Sequence, residues 1–175
     1  MDILAHSLWT NLAFLKKYPD NKKQRLWAVF FGILPDIISF APATIFGLFM
    51  TAGRNSAGHL LALAGSNFWP FVWARESYNY THSLVVFLGI FLTVIAVRKG
   101  KIYWPLLGWT LHIGIDIFSH KNFYETPFLF PISNYRFSHG MSWGNPVFMM
   151  VNYSSLAVVY LVLYFILRRK HGQKN

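Results

Sequence analysis

The stretch from 102 to 120 reads IYWPLLGWTLHIGIDIFSH and decides the fold. It is almost wholly apolar, yet His112, Asp116 and His120 follow each other at four-residue intervals, which places them on one face of a helix. An ionisable group inside a membrane helix is costly unless it is paired or coordinated. The pattern therefore predicts a membrane helix with a functional polar face.

The composition also favours a membrane protein. Hydrophobic residues make up 54% of the 175 residues, charged residues make up 13%, and the mean hydropathy is +0.35. A soluble domain with this composition would have too little polar surface. The net charge of +10 could indicate a nucleic-acid partner, but the Lys and Arg residues gather in three short runs, so we expect none. Because the chain has no cysteine, His and carboxylate groups would have to hold any metal.

Hydropathy divides the chain into about four spanning helices and one short helix. The predicted spans are 26–50, 82–97 (extending back toward Ser77), 102–118 and 146–167, and the short helix is 3–15. At about 1.5 Å per residue the short helix reaches only about 20 Å, whereas a hydrocarbon core is about 30 Å thick. We therefore expect it to be half-inserted from one side.

The connecting segments complete the expected architecture. Pro35 and Pro42 predict a kink or a break in the first span. Residues 51–81 predict an interfacial or half-inserted segment, and residues 119–145 predict a loop. With no internal repeat or linker, the sequence predicts one all-α domain over 1–175, a multi-pass membrane helical bundle.

The basic residues predict the orientation of this bundle. Twelve of the sixteen Lys and Arg residues fall in the 16–25 loop, the 98–101 turn and the tail after residue 167, all on the same predicted side. Loops that carry an excess of Lys and Arg are usually cytoplasmic. We therefore expect the C-terminus in the cytoplasm.

The ionisable residues of the apolar segments are predicted to lie at similar depths in the membrane. Counting about 1.5 Å per residue from the cytoplasmic ends gives depths of about 15 to 22 Å. The residues at these depths are Asp2, His6, Asp36, His82, His112 and Asp116. Imidazole and carboxylate suit zinc, manganese or iron, and a carboxylate such as Asp116 can bridge two ions. We predict one or two divalent ions, with zinc as the first choice.

Simpler roles for single residues stay open. A histidine in a membrane helix can hydrogen-bond a neighbouring helix, and Asp36 after a proline can cap a helix. His120 is a ligand, a supporting group or an interfacial residue, and Glu125 is more naturally a loop residue because it lies beyond the apolar run.

Two basic residues are predicted to lie on the same side of the membrane as the site. Lys121 and Arg136 are among the few basic residues there, and we predict that they bind a phosphate group of the substrate, Arg136 in bidentate fashion.

Four segments resemble those of bacterial inner-membrane metal-dependent hydrolases of the YdjM type. They are GILPDI at 32–37, THS at 81–83, HIGID at 112–116 and TPFLFPISNYRFSHGMSW at 126–143. The resemblance spans most of the chain. It implies a location in the bacterial inner membrane and a hydrolytic activity.

A more distant resemblance is to the all-helical zinc-dependent phospholipase C fold. It implies that Asp36, His82, His112 and Asp116 hold one ion, with Asp36 also as general base. It further implies that His6 and an N-terminal group, here Asp2, join Asp116 at a second ion. The implied reaction is hydrolysis of a phosphoester in a lipid or lipid-linked substrate, with Asp36 and Asp116 as catalytic residues.

Two other classes of function remain open at this point. A proton or metal-ion transporter would use the same buried groups as a relay, but it needs polar groups that continue to both faces. A non-catalytic membrane protein would use the metal for stability alone.

Overall fold

The structure is a computed structural model that describes residues 1–51, 67–121 and 125–172, with no account of the side chains at 50–51 and 167–172. The described residues form α-helices and no strands, which confirms the predicted all-α class. The helices are α1 (Ile3–Leu15), α2 (Lys22–Thr51), α3 (Trp69–Thr81), α4 (Leu84–Val97), α5 (Leu107–Ser119) and α6 (Pro146–Gly172), with a 3-10 turn at Trp104–Leu106.

Helix α2 is the central element, and it packs against α1, α3 and α5. It continues through both Pro35 and Pro42, so the predicted break is absent. Pro42 has no N–H for the carbonyl of Ile38, four residues earlier. The indole Nε1 of Trp73 donates to that carbonyl at 2.8 Å, which compensates the missing helix bond.

Within the described residues, two helical stretches are long and apolar enough to cross a membrane. They are Lys22–Phe49 in α2 and Pro146–Ile166 in α6. Helices α3 and α4 pass the same test only as a pair that is bent by 64°, which would give a third span. The predicted number of four spans is therefore not confirmed. Helix α1 is a shorter apolar helix with the predicted boundaries.

The predicted span over 82–97 begins later than expected, because the chain breaks at His82 and Ser83. The Ser83 hydroxyl accepts hydrogen bonds from the backbone N–H groups of Val85 and Val86, both at 3.1 Å, and so caps a new helix. It also donates to the Phe130 carbonyl. His82 consequently lies in the bend between α3 and α4, with a non-helical backbone.

The predicted span over 102–118 is also shorter than expected. A 3-10 turn at Trp104–Leu106 comes first, and α5 has only 13 residues, or about 20 Å. The interfacial segment expected over 51–81 falls partly on residues 52–66, which lie outside the described residues, and its last part is α3.

Two glycines let α1, α2 and α5 approach closely. A Cβ atom on Gly108 would collide with the carbonyl oxygen of Ala28 in α2, and one on Gly32 would lie 2.5 Å from Oγ1 of Thr10 in α1. Small residues at such crossings let helix backbones come together. The close packing brings the polar side chains of α1 and α5 onto α2.

Two of the three basic runs meet at one end of the bundle. Nζ of Lys17 lies 3.8 Å from the ring centroid of Trp104, and the Arg98 guanidinium lies 5.1 Å from that of Tyr103. The loop after α1 and the turn after α4 are therefore neighbours, as the orientation argument requires.

Candidate metal centre

Four ionisable side chains converge in the core between α2, α5 and the α3–α4 bend. They are Asp36, His82, His112 and Asp116, and one ligand atom from each lies within 4.8 Å of the others. The exposed fraction is 5% for Asp36 and 0% for the other three. The structure thus brings together the four residues that the resemblance to phospholipase C assigns to one ion, and this group could hold a metal ion.

The spacing of the ligand atoms suits a small divalent ion. Nε2 of His112 lies 3.0 Å from Nε2 of His82, 3.1 Å from Oδ2 of Asp116 and 3.6 Å from Oδ1 of Asp36. Nε2 of His82 lies 3.4 Å from Oδ1 of Asp36 and 3.5 Å from Oδ2 of Asp116. Ligands at zinc-binding distance in a tetrahedron are separated by roughly 3.3 Å.

A backbone carbonyl sets the tautomer of His112. Nδ1 of His112 lies 2.8 Å from the carbonyl oxygen of Gly32, which can only accept a hydrogen bond. Nδ1 therefore carries the proton and donates. The neutral ring then directs the lone pair of Nε2 at the cluster, which is the form that binds a metal.

A hydroxyl network sets the tautomer of His82 in the same way. Oγ1 of Thr81 lies 3.0 Å from the Ser77 carbonyl, 2.9 Å from Nδ1 of His82 and 2.8 Å from Oγ of Ser39. Because the Ser77 carbonyl can only accept, the single Thr81 proton goes to it. Nδ1–H of His82 then donates to Thr81, and Nε2 of His82 also presents a lone pair to the cluster.

The remaining ligand atom of Asp116 lacks a donor. Oδ2 is buried and accepts no hydrogen bond from any of the described residues. An unsatisfied buried carboxylate oxygen is costly. Two imidazole lone pairs and this oxygen thus face each other, which is an arrangement that a bound cation stabilises.

The other oxygen of Asp116 faces a second group of nitrogens. Oδ1 lies 3.0 Å from Nε2 of His6, 3.4 Å from Nε2 of His120 and 2.5 Å from the α-amino nitrogen of Met1. That amino nitrogen is also 2.7 Å from Nε2 of His120. The His6 ring stacks on His112 at 3.9 Å between centroids. His6 and His120 therefore contact the centre through Asp116, and metal binding by either histidine stays a prediction.

Asp2, which the sequence assigns to the second ion, has other contacts. Its Oδ1 accepts from the backbone N–H of Ala5 at 3.0 Å and from the hydroxyl of Tyr153 at 2.8 Å. The carboxylate thus caps α1 and ties it to α6. The N-terminal group beside Asp116 is the α-amino nitrogen of Met1.

Tyr78 and Thr81 support the histidines, and sequence reasoning missed both. The Tyr78 ring stacks on His82 at 3.8 Å, and its hydroxyl lies 2.9 Å from Nδ1 of His120. Tyr78 is four residues before His82 on α3, so helical spacing from His82 was the available signal. The signal for Thr81 was its position beside His82 in the THS segment.

A cavity of about 350 Å³ opens beside the centre. Its walls are Met1, Asp2, Ile3, Asp36, Phe40, His120 and Trp143. Asp36 belongs to both the cavity and the four-residue group, so it connects the buried ligands with the space that a substrate could enter.

The predicted phosphate-binding residues, Arg136 and Lys121, are not among the residues that line this cavity. The Arg136 guanidinium donates to the backbone carbonyl of Glu125 at 2.5 Å and to Oδ1 of Asn79 at 3.0 Å. Lys121 is exposed. The contact through the Glu125 carbonyl fits its expected place in a loop, and phosphate binding by Arg136 and Lys121 stays a prediction.

No model of a known protein family matches this chain. No curated protein and no solved structure is detectably similar to it. The function is therefore argued from the geometry of the centre.

Proposed function

We propose that the chain is a membrane-embedded metal-dependent hydrolase that cleaves a phosphoester of a lipid or lipid-linked substrate. One observation carries the proposal. The Nε2 atoms of His82 and His112 lie 3.0 Å apart, while the Nδ1 atom of each ring lies within 2.9 Å of an oxygen to which it can donate, Oγ1 of Thr81 or the Gly32 carbonyl. Two lone pairs at this distance repel each other, and a divalent cation between them turns the repulsion into coordination.

The donor set decides which cation fits. Two imidazoles and two carboxylates, with no thiolate in the chain, suit zinc first and manganese or iron next. A second ion would lie at Oδ1 of Asp116, with His6 and His120 as nitrogen ligands 3.0 and 3.4 Å from that oxygen. Asp116 would then bridge two ions, which is a common role for a carboxylate in hydrolases.

The protein groups have distinct tasks in this proposal. A bound divalent ion supplies Lewis-acid activation of water and stabilises charge that develops on a phosphoryl oxygen. Asp36 lines the cavity, so its carboxylate can accept a proton from the attacking water. Asp36, His82, His112 and Asp116 would hold the ion. The carbonyl of Gly32 and the hydroxyl of Thr81 orient the two imidazoles.

The surroundings favour an amphipathic substrate. The cavity has Asp36 and His120 at its polar end, whereas Ile3, Phe40 and Trp143 give it apolar walls. Helices α2 and α6 contain stretches apolar enough to cross a bilayer. A lipid headgroup at the polar end and hydrocarbon beside the apolar walls would fit both. The resemblance to the YdjM type adds a bacterial inner membrane to the proposal, and the distribution of Lys and Arg adds a cytoplasmic C-terminus.

The same observations weigh against transport. A relay across the membrane needs polar groups toward both faces. Phe87, Leu106, Trp109 and Ile113 form a buried apolar cluster beside the centre, and this cluster has no titratable group. A site that opens to one side is typical of an enzyme. A purely structural metal is distinguished by the absence of turnover.

The direct test is release of the phosphorylated headgroup from lipids in mixed micelles by the zinc-loaded protein. Phosphatidic acid and phosphatidylcholine probe monoester and diester cleavage. We expect turnover by the wild type and a loss of at least a hundredfold in Asp36→Asn. Asp20→Asn is the matched control, because Asp20 is an exposed acid in the loop after α1.

Two outcomes would contradict the proposal. A wild type that binds metal yet cleaves no phosphoester lipid would favour a structural metal. Accumulation of metal or protons inside protein-containing liposomes, without cleavage, would favour transport.

A further inference from the structure

A groove beside the cavity at Asp36 approaches the candidate metal centre between α1, α5 and α6, and Met1 lines both. Its outer part is a cavity of about 450 Å³ with walls from all three helices. The wall residues are Trp9, Leu12, Ala13, Leu111, Ile115 and Val159. None of them carries a charged group, so the groove suits a hydrocarbon ligand.

The groove continues inward to the residues around Asp116. A neighbouring cavity of about 340 Å³ has Trp9, Leu111 and Ile115 in common with the outer part, so the two lie side by side. The wall of this second cavity includes Ser119, whose hydroxyl lies 3.3 Å from Oδ1 of Asp116. We call the two cavities together the α1–α5–α6 groove. Its outer part is apolar, and its inner part lies beside the polar centre.

Gly114 in α5 keeps the inner part of the groove open. Glycine in a helix interior is less favourable than alanine, so it usually has a packing reason. Gly32 and Gly108 have such a reason, because a Cβ atom there would collide with a neighbouring helix. A Cβ atom on Gly114 would have no neighbour within 4 Å among the described residues, and Gly114 lines the cavity. The space above it belongs to the groove.

The outer wall of the groove lies on a helix suited to hydrocarbon. Val159 is in the stretch of α6 that is long and apolar enough to cross a membrane. Its neighbours Val158 and Val162 are 59% and 51% exposed. A hydrocarbon chain in the bilayer would thus meet the groove directly, and the side chains around the outer part of the groove carry no charged group.

We propose that the α1–α5–α6 groove binds one hydrocarbon chain of the substrate, while the phosphorylated headgroup of that molecule lies at the Asp116 centre. The inference rests on the proposed function, since it assigns the substrate's chain to a place beside the same site. It identifies the substrate class as a phosphate ester with at least one long hydrocarbon chain.

The test fills the groove without touching the ligands. Gly114→Leu places a side chain in the open space, and Gly89→Leu is the matched control, because Gly89 in α4 is an exposed helical glycine with equally open surroundings. The probe is dodecyl phosphate with a photoreactive diazirine at the end of its chain. It is added to zinc-loaded protein in detergent, and the labelled peptides are identified by mass spectrometry.

We expect the wild type and Gly89→Leu to be labelled on the segments that contain Leu12 and Leu111. Gly114→Leu should bind at least tenfold more weakly, which corresponds to excluding about two methylene groups from the groove. Its metal content should equal that of the wild type. Ethyl phosphate, which has almost no chain, should bind both variants equally.

The labelling results distinguish failure of the groove inference from failure of the proposed function. Equal labelling of Gly114→Leu and Gly89→Leu would overturn the groove inference and leave the proposed function standing. Labelling that depends on Gly114 but not on bound zinc would also overturn it, because the chain would then not belong to a ligand of the centre. Labelling that depends on both, without turnover of any lipid, would support the groove and contradict the hydrolase.

Discussion

The Nε2 atoms of His82 and His112 face each other at 3.0 Å, although they come from the α3–α4 bend and from α5. In neither ring does the N–H group point toward the other histidine, because Thr81 and the Gly32 carbonyl accept hydrogen bonds from the Nδ1–H groups. The centre is thus organised by acceptors that lie outside it. Such supporting hydrogen bonds fix the ring orientation and raise the basicity of histidine ligands.

A substitution of Thr81 tests whether its hydrogen bond with His82 orients that imidazole for metal binding. Thr81→Val keeps the shape of the side chain but removes the acceptor for Nδ1–H of His82. We expect metal affinity to fall about 10- to 100-fold, as is usual when such a supporting partner of a metal-binding histidine is lost. The measurement is competition with a chelator for bound zinc.

Thr110→Val is the control for that substitution. Oγ1 of Thr110 is buried with no hydrogen-bond partner among the described residues, and Thr110 is in α5, two residues before His112. Its replacement should leave metal affinity unchanged. An equal loss in both variants would mean that the effect comes from general packing and not from the tautomer of His82.

From the close approach of α5 to α2 we predict how two glycine substitutions change the free energy of unfolding. Gly108→Ala should lower the free energy of unfolding by about 1–3 kcal/mol, because the added Cβ would collide with the Ala28 carbonyl. Gly114→Ala should be neutral or raise it by up to about 1 kcal/mol, since its surroundings are open. Denaturant unfolding in detergent measures both. Equal stability of the two variants would contradict the described helix packing.

Substitutions at Asp2 distinguish helix capping from metal binding by this residue. Asn is as good a helix cap as Asp and can still accept from Tyr153, so Asp2→Asn should keep both stability and metal content. Asp2→Ala should cost about 1 kcal/mol of stability through loss of the cap. Loss of one equivalent of metal in Asp2→Asn at unchanged stability would instead make Asp2 a ligand of the second ion.

The sequence predicted which residues converge at the centre better than it predicted the bounds of the helices that carry them. His112 and Asp116 share a helix face by spacing alone, and depth counting brought Asp36 and His82 to the same level. The prediction from depth succeeds because ionisable groups in apolar membrane segments face the interior of the bundle and pair with one another. The contacts of Asp2 could not be foreseen, because they depend on Tyr153, which is distant in sequence.

Helix boundaries were predicted less well, for reasons that hydropathy does not register. The break at Ser83 comes from a side-chain cap and a contact with the distant Phe130 carbonyl. The continuity of α2 through Pro42 depends on the indole of Trp73. Both are tertiary contacts that override local preference, so the number of spans was the least reliable prediction.

The most direct test of the account is the metal content of the detergent-purified protein by mass spectrometry. Wild type is compared with His112→Ala and Asp116→Ala, with Thr110→Val as the folded control. We predict at least one equivalent of zinc, manganese or iron in wild type and control, and its loss in both ligand variants at matched folding. If the wild type holds no metal and takes up none on titration, a proton occupies the space between His82 and His112 and the proposed hydrolase is wrong.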